Sequence, residues 1–235
     1  MIVAIITARS GSKSLPHKSI RELGGIPLLG WVIKALSKSN LVDNIILSTD
    51  SDYYFNIGSN FNNKLIFHKR PPPLAEDVPS ELVVLDVVNT LKEYFDDDSL
   101  IVLVQPTTPF ITHIDIDTCI NKMIKNPNAS SCITVKAVSE YPEWQLTSKE
   151  GFTDICVSGN LSGEVSVRQN LKKRLIPNGG AYVVRKTFLE RTGKIIDEEG
   201  TMIHEMSKLR SLDINDQDDF TFCEALVNSG FIVHE

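Results

Sequence analysis

Residues 2–18 read IVAIITARSGSKSLPHK: a β-branched run, Ile2 to Ile6, breaks into a loop of small residues in which cations recur at Arg9, Lys13 and Lys18. The run has the length and composition of a buried first strand. From Ala8 through Ser12 to Ser14 the small residues permit close approach to the backbone, and a loop of this type suits a triphosphate. Open α/β sheets bind ligands at the carboxyl ends of their strands, where this loop stands. The plainer reading of the same residues is a solvated basic turn. Neither Gly-x-x-x-x-Gly-Lys-Ser/Thr nor Gly-x-Gly-x-x-Gly is present, which makes ATPases and dehydrogenases poor fits.

Outward from this stretch, similar runs recur at Asn44 to Ser48, Lys64 to Phe67, Leu100 to Val104, Ser131 to Val135 and Ala181 to Val184. Between them, Leu28, Val32 and Leu36, then Val84, Val88, Leu91 and Phe95, then Ile116, Ile120 and Ile124 step at helical intervals. Thr112 with Asp115 three residues on suits a helix cap. Phe220 to Val227 forms a last helix stopped by Gly230. The alternation predicts an α/β fold with a mainly parallel, doubly wound sheet, in a single domain spanning residues 1–235. Residues 137–175, with several turns and a basic run, fit that rhythm poorly and read as an excursion from the core.

The chain has 235 residues, 42% of them hydrophobic, and a net charge of −6, which argues against a general nucleic-acid binder because phosphate tracking needs a broad basic surface. Cys119, Cys132, Cys156 and Cys223 form no Cys-x-x-Cys pair and read as reduced thiols in a cytoplasmic protein. Nothing resembles a signal peptide or a membrane span. The five histidines, His17, His68, His113, His204 and His234, are scattered, and no nucleophile-elbow motif occurs, so zinc hydrolysis and triad chemistry find no support.

Other strand ends are polar: Ser48-Thr49-Asp50 and Gln105-Pro106-Thr107-Thr108-Pro109, each of which a helix cap or turn also explains. Near the C-terminus Asp213 and Asn215 flank Ile214, sharing one face if extended; oxygen ligands there suit Mg²⁺, and Asn215 or Asp216 also suits a cap of the last helix.

Taken together these segments resemble the acylneuraminate cytidylyltransferase family, which makes CMP-sialic and related CMP-nonulosonic acids. Ala8-Arg9 to Lys18-Ser19 is similar to its signature loop Ala-Arg-x-x-Ser-Lys-x-x-x-x-Lys-Asn, with Ser19 in place of the usual asparagine. Arg70-Pro71 with Leu74-Ala75-Glu76-Asp77 resembles its Arg-Pro-x-x-Leu-Ala-x-Asp segment, and Val104 to Pro109 its Leu-Gln-Pro-Thr-Ser-Pro, with Ile111 where an arginine is often found. Asp213-Ile214-Asn215 stands where the family usually has Asp-Ile-Asp.

The resemblance implies a Rossmann-like nucleotidyltransferase fold. It implies that Ala8, Arg9, Ser12, Lys13, Lys18, Arg70, Asp77 and Ser80 bind CTP, with Arg9, Lys13, Lys18 and Asp213 catalytic. Gln105, Arg168, Asn178 and Tyr182 would meet an acidic nine-carbon sugar, and Asp213 with Asn215 would hold Mg²⁺. It further implies a homodimer in which residues 137–175 form a dimerisation extension. The runner-up is a CMP-Kdo synthetase, which normally shows Gln-Gly-Asp-Glu-Pro where this chain has Gln105 to Pro109. A glycosyltransferase would want Asp-x-Asp in mid-chain, but Asp115-Ile116-Asp117 reads as a helix cap and solvated face. A binding homologue without chemistry is the remaining alternative.

Overall fold

The computed structural model describes residues 1–155 and 163–232. The chain forms two compact units, one of Met1–Val135 with Pro177–Glu235, the other Lys136–Ile176. In chain order the elements are β1 (Ile2–Thr7), β2 (Glu22–Leu23), β3 (Ile26–Pro27), α1 (Leu28–Ser37), β4 (Asn44–Thr49), α2 (Asp52–Ser59), β5 (Ile66–Lys69), α3 (Ser80–Thr90) and β6 (Leu100–Val104). They continue with α4 (His113–Lys125), β7 (Ser131–Ala137), β8 (Leu146–Lys149), β9 (Phe152–Ile155), β10 (Leu175–Arg185), α5 (Lys186–Thr192), β11 (Thr201–Glu205) and α6 (Gln217–Asn228).

Seven strands make one sheet in the order β11-β7-β10-β6-β1-β4-β5. β1 pairs in parallel with β4 and β6, β4 with β5, and β7 with β11, while β10 runs antiparallel to β6. Val3, Ala4, Ile5 and Ile6 are all fully buried because both faces of this strand are covered, which is why it reads as an unbroken apolar run. Ala4 and Ile6 pack with Val32, Leu36, Ile116 and Ile120 from α1 and α4, whereas Val3 and Ile5 pack with Val84, Val88 and Leu189 from α3 and α5. The helical layers thus lie on both faces, as a doubly wound sheet requires.

Local chemistry sets the helix ends. Thr112 and Asp115 exchange reciprocal bonds as a capping box on α4, and Asp216 with Asp219 does the same on α6. Asp216, not Asn215, is therefore the cap of the last helix. In α4 the buried position falls on Met123 and leaves Ile124 53% exposed, because eight residues at 100° each overshoot the face set by Ile116.

Several boundaries differ from the sequence reading. The third strand is displaced to Ile66–Lys69, and the sixth run belongs to an eleven-residue strand that is antiparallel to β6. β11 escaped notice because it is an edge strand of alternating half-buried and exposed residues. The helix read through Phe95 ends at Thr90, after which Lys92–Tyr94 makes a 3-10 turn.

In the smaller unit, β8 and β9 form a hairpin closed by Glu150 and Gly151, both with positive φ, the two-residue turn that matches strand twist. Cys119, Cys132 and Cys223 are buried free thiols; Cys156 and His234 lie outside the described residues.

Candidate active site

The loop after β1 is pinned from behind. The Ala8 N–H donates to the Ser48 carbonyl at 3.0 Å, and the Asp50 carboxylate accepts from the Ser10 N–H at 2.8 Å and from its hydroxyl at 2.5 Å. Burial opposes the Asp50 charge, but the Ser10 bonds outweigh it and hold the carboxyl below the usual carboxylate range. Behind both, Arg70 is 5% exposed; its Nη2 donates to the Ser48 carbonyl at 2.9 Å and its Nε to the Ser48 hydroxyl at 3.3 Å.

In front of the loop lies a cavity of about 360 Å³, lined by Arg9, Lys13, Lys18, Asp77, Gln105 and Asp213 among others. Asp77 pairs with Arg9, and with Lys13 at 2.8 Å. The hydrogen bond to Asp77 raises the Lys13 pKa above the ordinary lysine value, and the same bond lowers that of Asp77. Lys18 donates to the Ile214 carbonyl at 3.0 Å; burial lowers its pKa, against the pull of Asp213, Asp219 and Asp216.

The far side of the cavity is built on Ile214. Fully buried, it joins a cluster with Leu15, Phe110 and Phe220, so one apolar patch anchors the β1 loop, the turn after β6 and the entry to α6. The Ile214 N–H donates to the Thr107 carbonyl at 2.8 Å, and the Ser14 hydroxyl to the Asn215 carbonyl at 2.6 Å. With Ile214 buried, Asp213 and Asn215 border the cavity. Asp213 Oδ1 is buried and finds no hydrogen-bond partner, while Oδ2 accepts from Asn215 Nδ2 at 3.1 Å. A buried carboxylate oxygen without a hydrogen-bond partner, on a residue that borders the same cavity as Arg9, Lys13 and Lys18, suits a ligand for Mg²⁺, which leans on substrate phosphates and water for the rest of its shell. Asn215, which directs its amide nitrogen at Asp213, fits a supporting part better than that of a second oxygen ligand.

The turn after β6 adds Gln105 and Thr107 to the lining, and β10 passes close to Asp213. Gln105 Nε2 donates to the Ser80 hydroxyl at 3.3 Å at the start of α3. Gly179 has a φ of 76°, and a Cβ there would lie 3.1 Å from Thr108 Oγ1 and 3.8 Å from the Asp213 carboxyl carbon, so glycine keeps backbone against the site. Tyr182 lies close enough for Asp213 to raise its pKa, although burial is the larger cause.

A family model described as cytidylyltransferase matches residues 3–150 of this sequence, a span that includes the β1 loop, Arg70, Asp77 and Gln105. The chain belongs to the cytidylyltransferase family. Among curated relatives, N-acylneuraminate cytidylyltransferase A of Danio rerio is 27% identical over 96% of the chain, and the chain spans 50% of that protein. Post-translational flagellin modification protein B of Campylobacter coli is also 27% identical, over 96% of this chain and 94% of its own length. An N-acylneuraminate cytidylyltransferase of Streptococcus agalactiae is 28% identical over 93% of the chain and 51% of its own. In fold, the chain resembles a CMP-2-keto-3-deoxy-manno-octonic acid synthetase complexed with CTP, with a TM-score of 0.69 and 16% identity over 97% of this chain and 99% of that one. It also resembles the 4-diphosphocytidyl-2C-methyl-D-erythritol synthase of Anaerococcus prevotii, at a TM-score of 0.63 and 17% identity over 97% and 96%.

Of the site residues expected from the sequence, Arg9, Ser12, Lys13, Lys18, Asp77, Gln105, Asp213 and Asn215 line one cavity. Ala8 and Arg70 are buried behind it, so Arg70 acts on the loop through Ser48 and Asp50. Asn178 is a correction. It is 3% exposed, and its carboxamide oxygen accepts from Thr134 Oγ1 at 2.6 Å and the Gly180 N–H at 3.1 Å. Its nitrogen donates to Ser211 Oγ at 2.8 Å and Met206 Sδ at 3.2 Å, which uses all four bonds an amide can make and leaves none for a sugar. Arg168 belongs to the smaller unit, where it is exposed and heads a 3-10 turn. Asp50, part of the polar strand end Ser48-Thr49-Asp50, holds the β1 loop through Ser10 and does not cap α2, whose cap is Ser51.

Proposed function

We propose that this chain transfers the cytidylyl group of CTP to the anomeric hydroxyl of an acidic 2-keto-3-deoxy sugar, of nine carbons like the sialic acids, with release of pyrophosphate. The observation that carries the reading is the cavity itself, where Arg9, Lys13 and Lys18 share one space with Asp213 and its unpartnered Oδ1. Family membership and the curated relatives named N-acylneuraminate cytidylyltransferase support the nucleotide and the sugar class.

The sugar hydroxyl oxygen attacks the α-phosphorus as the bond to the β-phosphate oxygen breaks; its proton passes to solvent, and pyrophosphate leaves with the released negative charge. Arg9, Lys13 and Lys18 hold the triphosphate and the leaving group, so that catalysis is mainly alignment and charge neutralisation. Mg²⁺ on Asp213, when bound, would neutralise phosphate charge and acidify the attacking hydroxyl. Gln105, which lines the cavity, and Tyr182, which lies near Asp213, would meet the sugar. Among the described residues no histidine lines the cavity, and no side chain is assigned as general base.

The reading places the enzyme in the cytoplasm, where CTP is available, as a homodimer that uses residues 137–175. Among the described residues no helix is long and apolar enough to cross a membrane. Light scattering tests the dimer: a fully active monomer at micromolar concentration would contradict it. The CMP-Kdo alternative shares the fold. Pyrophosphate release from CTP with a panel of nonulosonic acids and Kdo tests the sugar assignment; turnover confined to Kdo would replace the nine-carbon reading with the eight-carbon one.

A further inference from the structure

Beneath the β1 loop, outside the cavity, stands a buried histidine that the chemistry above does not use. His68 on β5 has a side chain 1% exposed; its Nε2 lies 3.1 Å from Asp86 Oδ2 on α3 and its Nδ1 3.0 Å from Ser48 Oγ on β4. The directions of these bonds are fixed by what each group can do. Arg70 Nε only donates, so at 3.3 Å it gives its proton to Ser48 Oγ. The Ser48 hydroxyl then has one proton to give, and His68 Nδ1 is its acceptor. An imidazole that accepts at Nδ1 carries its proton on Nε2, aimed at Asp86. The chain Arg70 to Ser48 to His68 to Asp86 is therefore satisfied by neutral His68 in one tautomer.

We propose that His68, oriented by Asp86, is a positioning residue that fixes the β1 loop by holding Ser48 and Arg70. The carbonyl of Ser48 receives both Arg70 Nη2 and the Ala8 N–H, and Asp50, whose charge faces Arg70, receives Ser10. Ala8 and Ser10 flank Arg9, so the relay reaches a phosphate-binding cation through one residue on either side. A second proton, on Nδ1, would take from Ser48 its acceptor and set a positive charge beside Arg70. The groups acting on His68 are Asp86 from α3, which favours that proton, and Arg70 on its own strand, which opposes it; burial, the largest influence, opposes it too and lowers the pKa below the ordinary histidine value. The relay is thus intact at neutral pH and broken in acid.

The proposal rests on the cytidylyl-transfer reading of the cavity, and steady-state kinetics with CTP against pH separates the two. If the wild-type protein neither binds nor turns over CTP, that reading fails first, and the proposal with it. If it does, KM for CTP should rise as pH falls below the histidine range, with kcat changing less. His68→Phe should raise KM for CTP at neutral pH by about tenfold and lose the acid dependence, through loss of one link to a charged group. His68→Gln, which can accept and donate without titrating, should restore most of the affinity and still lack the acid dependence. Ser48→Ala cuts the relay one step on and serves if the phenylalanine variant does not fold; it should reproduce the raised KM. Wild-type KM and an unchanged acid limb in His68→Phe, or in Ser48→Ala should the first not fold, would overturn the proposal.

Discussion

Asn215 Nδ2 stands 3.1 Å from Asp213 Oδ2, while the other oxygen of that carboxylate is buried without a partner. The asparagine thus steadies the carboxylate that a metal ion would use. In the proposed mechanism Asp213→Asn should lower the rate by about 100-fold or more, because a neutral amide oxygen would replace the charged carboxylate that would hold Mg²⁺. Asn215→Asp should keep activity and lower the Mg²⁺ concentration for half-maximal rate, since a second charged oxygen then borders the site. Rate against Mg²⁺, with Mn²⁺ binding followed by paramagnetic resonance, reads both; an unaltered Asp213→Asn enzyme would remove this site from the mechanism.

Asp77 pairs with two of the cations assigned to the triphosphate. A bound triphosphate has to compete with that carboxylate for Arg9 and Lys13. Asp77→Asn should lower KM for CTP by about two- to fivefold at low salt, an exposed pair being weak, and by less at high salt. If Asp77 instead contacts the nucleotide favourably, as the family resemblance implies, KM rises.

The proposed triphosphate contact needs Lys18 in its charged form, and burial has lowered its pKa below the ordinary 10.5. Its charge is therefore lost as pH rises through that depressed value, and KM for CTP should climb on the alkaline side sooner than for an exposed lysine. Lys18→Arg keeps the charge and should move this limb to higher pH. An identical alkaline limb in both enzymes would show that another group titrates.

For Asn178 the hydrogen bonds point to stability rather than sugar affinity. Asn178→Ala strands the Gly180 N–H, takes from Ser211 its amide donor, and leaves Thr134 Oγ1 only its bonds to Ala181. The expected cost is about 1–3 kcal/mol, and melting should shift down by roughly 3–10 °C for a chain of this size. A large, selective rise in KM for the sugar without thermal destabilisation would contradict this.

The parallel core was legible because strands covered on both faces cannot alternate: Ile2 to Ile6 and Leu100 to Val104 announce themselves as continuous apolar runs. β11 was not, since an edge strand of half-exposed residues carries no such signal. Where charge accumulates in the sequence, at Arg9, Lys13, Lys18 and Asp213, the structure brings the residues to one cavity. The site was misread where a polar residue faces inward: Arg70 and Asn178 have the chemistry of ligand contacts, and only burial and partners distinguish a brace from a contact. His68 carried no motif at all, because its meaning lies in Asp86 and Ser48, eighteen and twenty residues away in sequence.

The central claim is transfer of a cytidylyl group, and its most direct measurement is the mass of the product formed from a nine-carbon 2-keto-3-deoxy sugar acid with CTP, UTP, ATP or GTP in turn. The cavity and the family predict a CMP-linked sugar and one pyrophosphate per turnover, with strong preference for CTP. Equal turnover of UTP, or CTP hydrolysis with no nucleotide-linked sugar, would contradict the account.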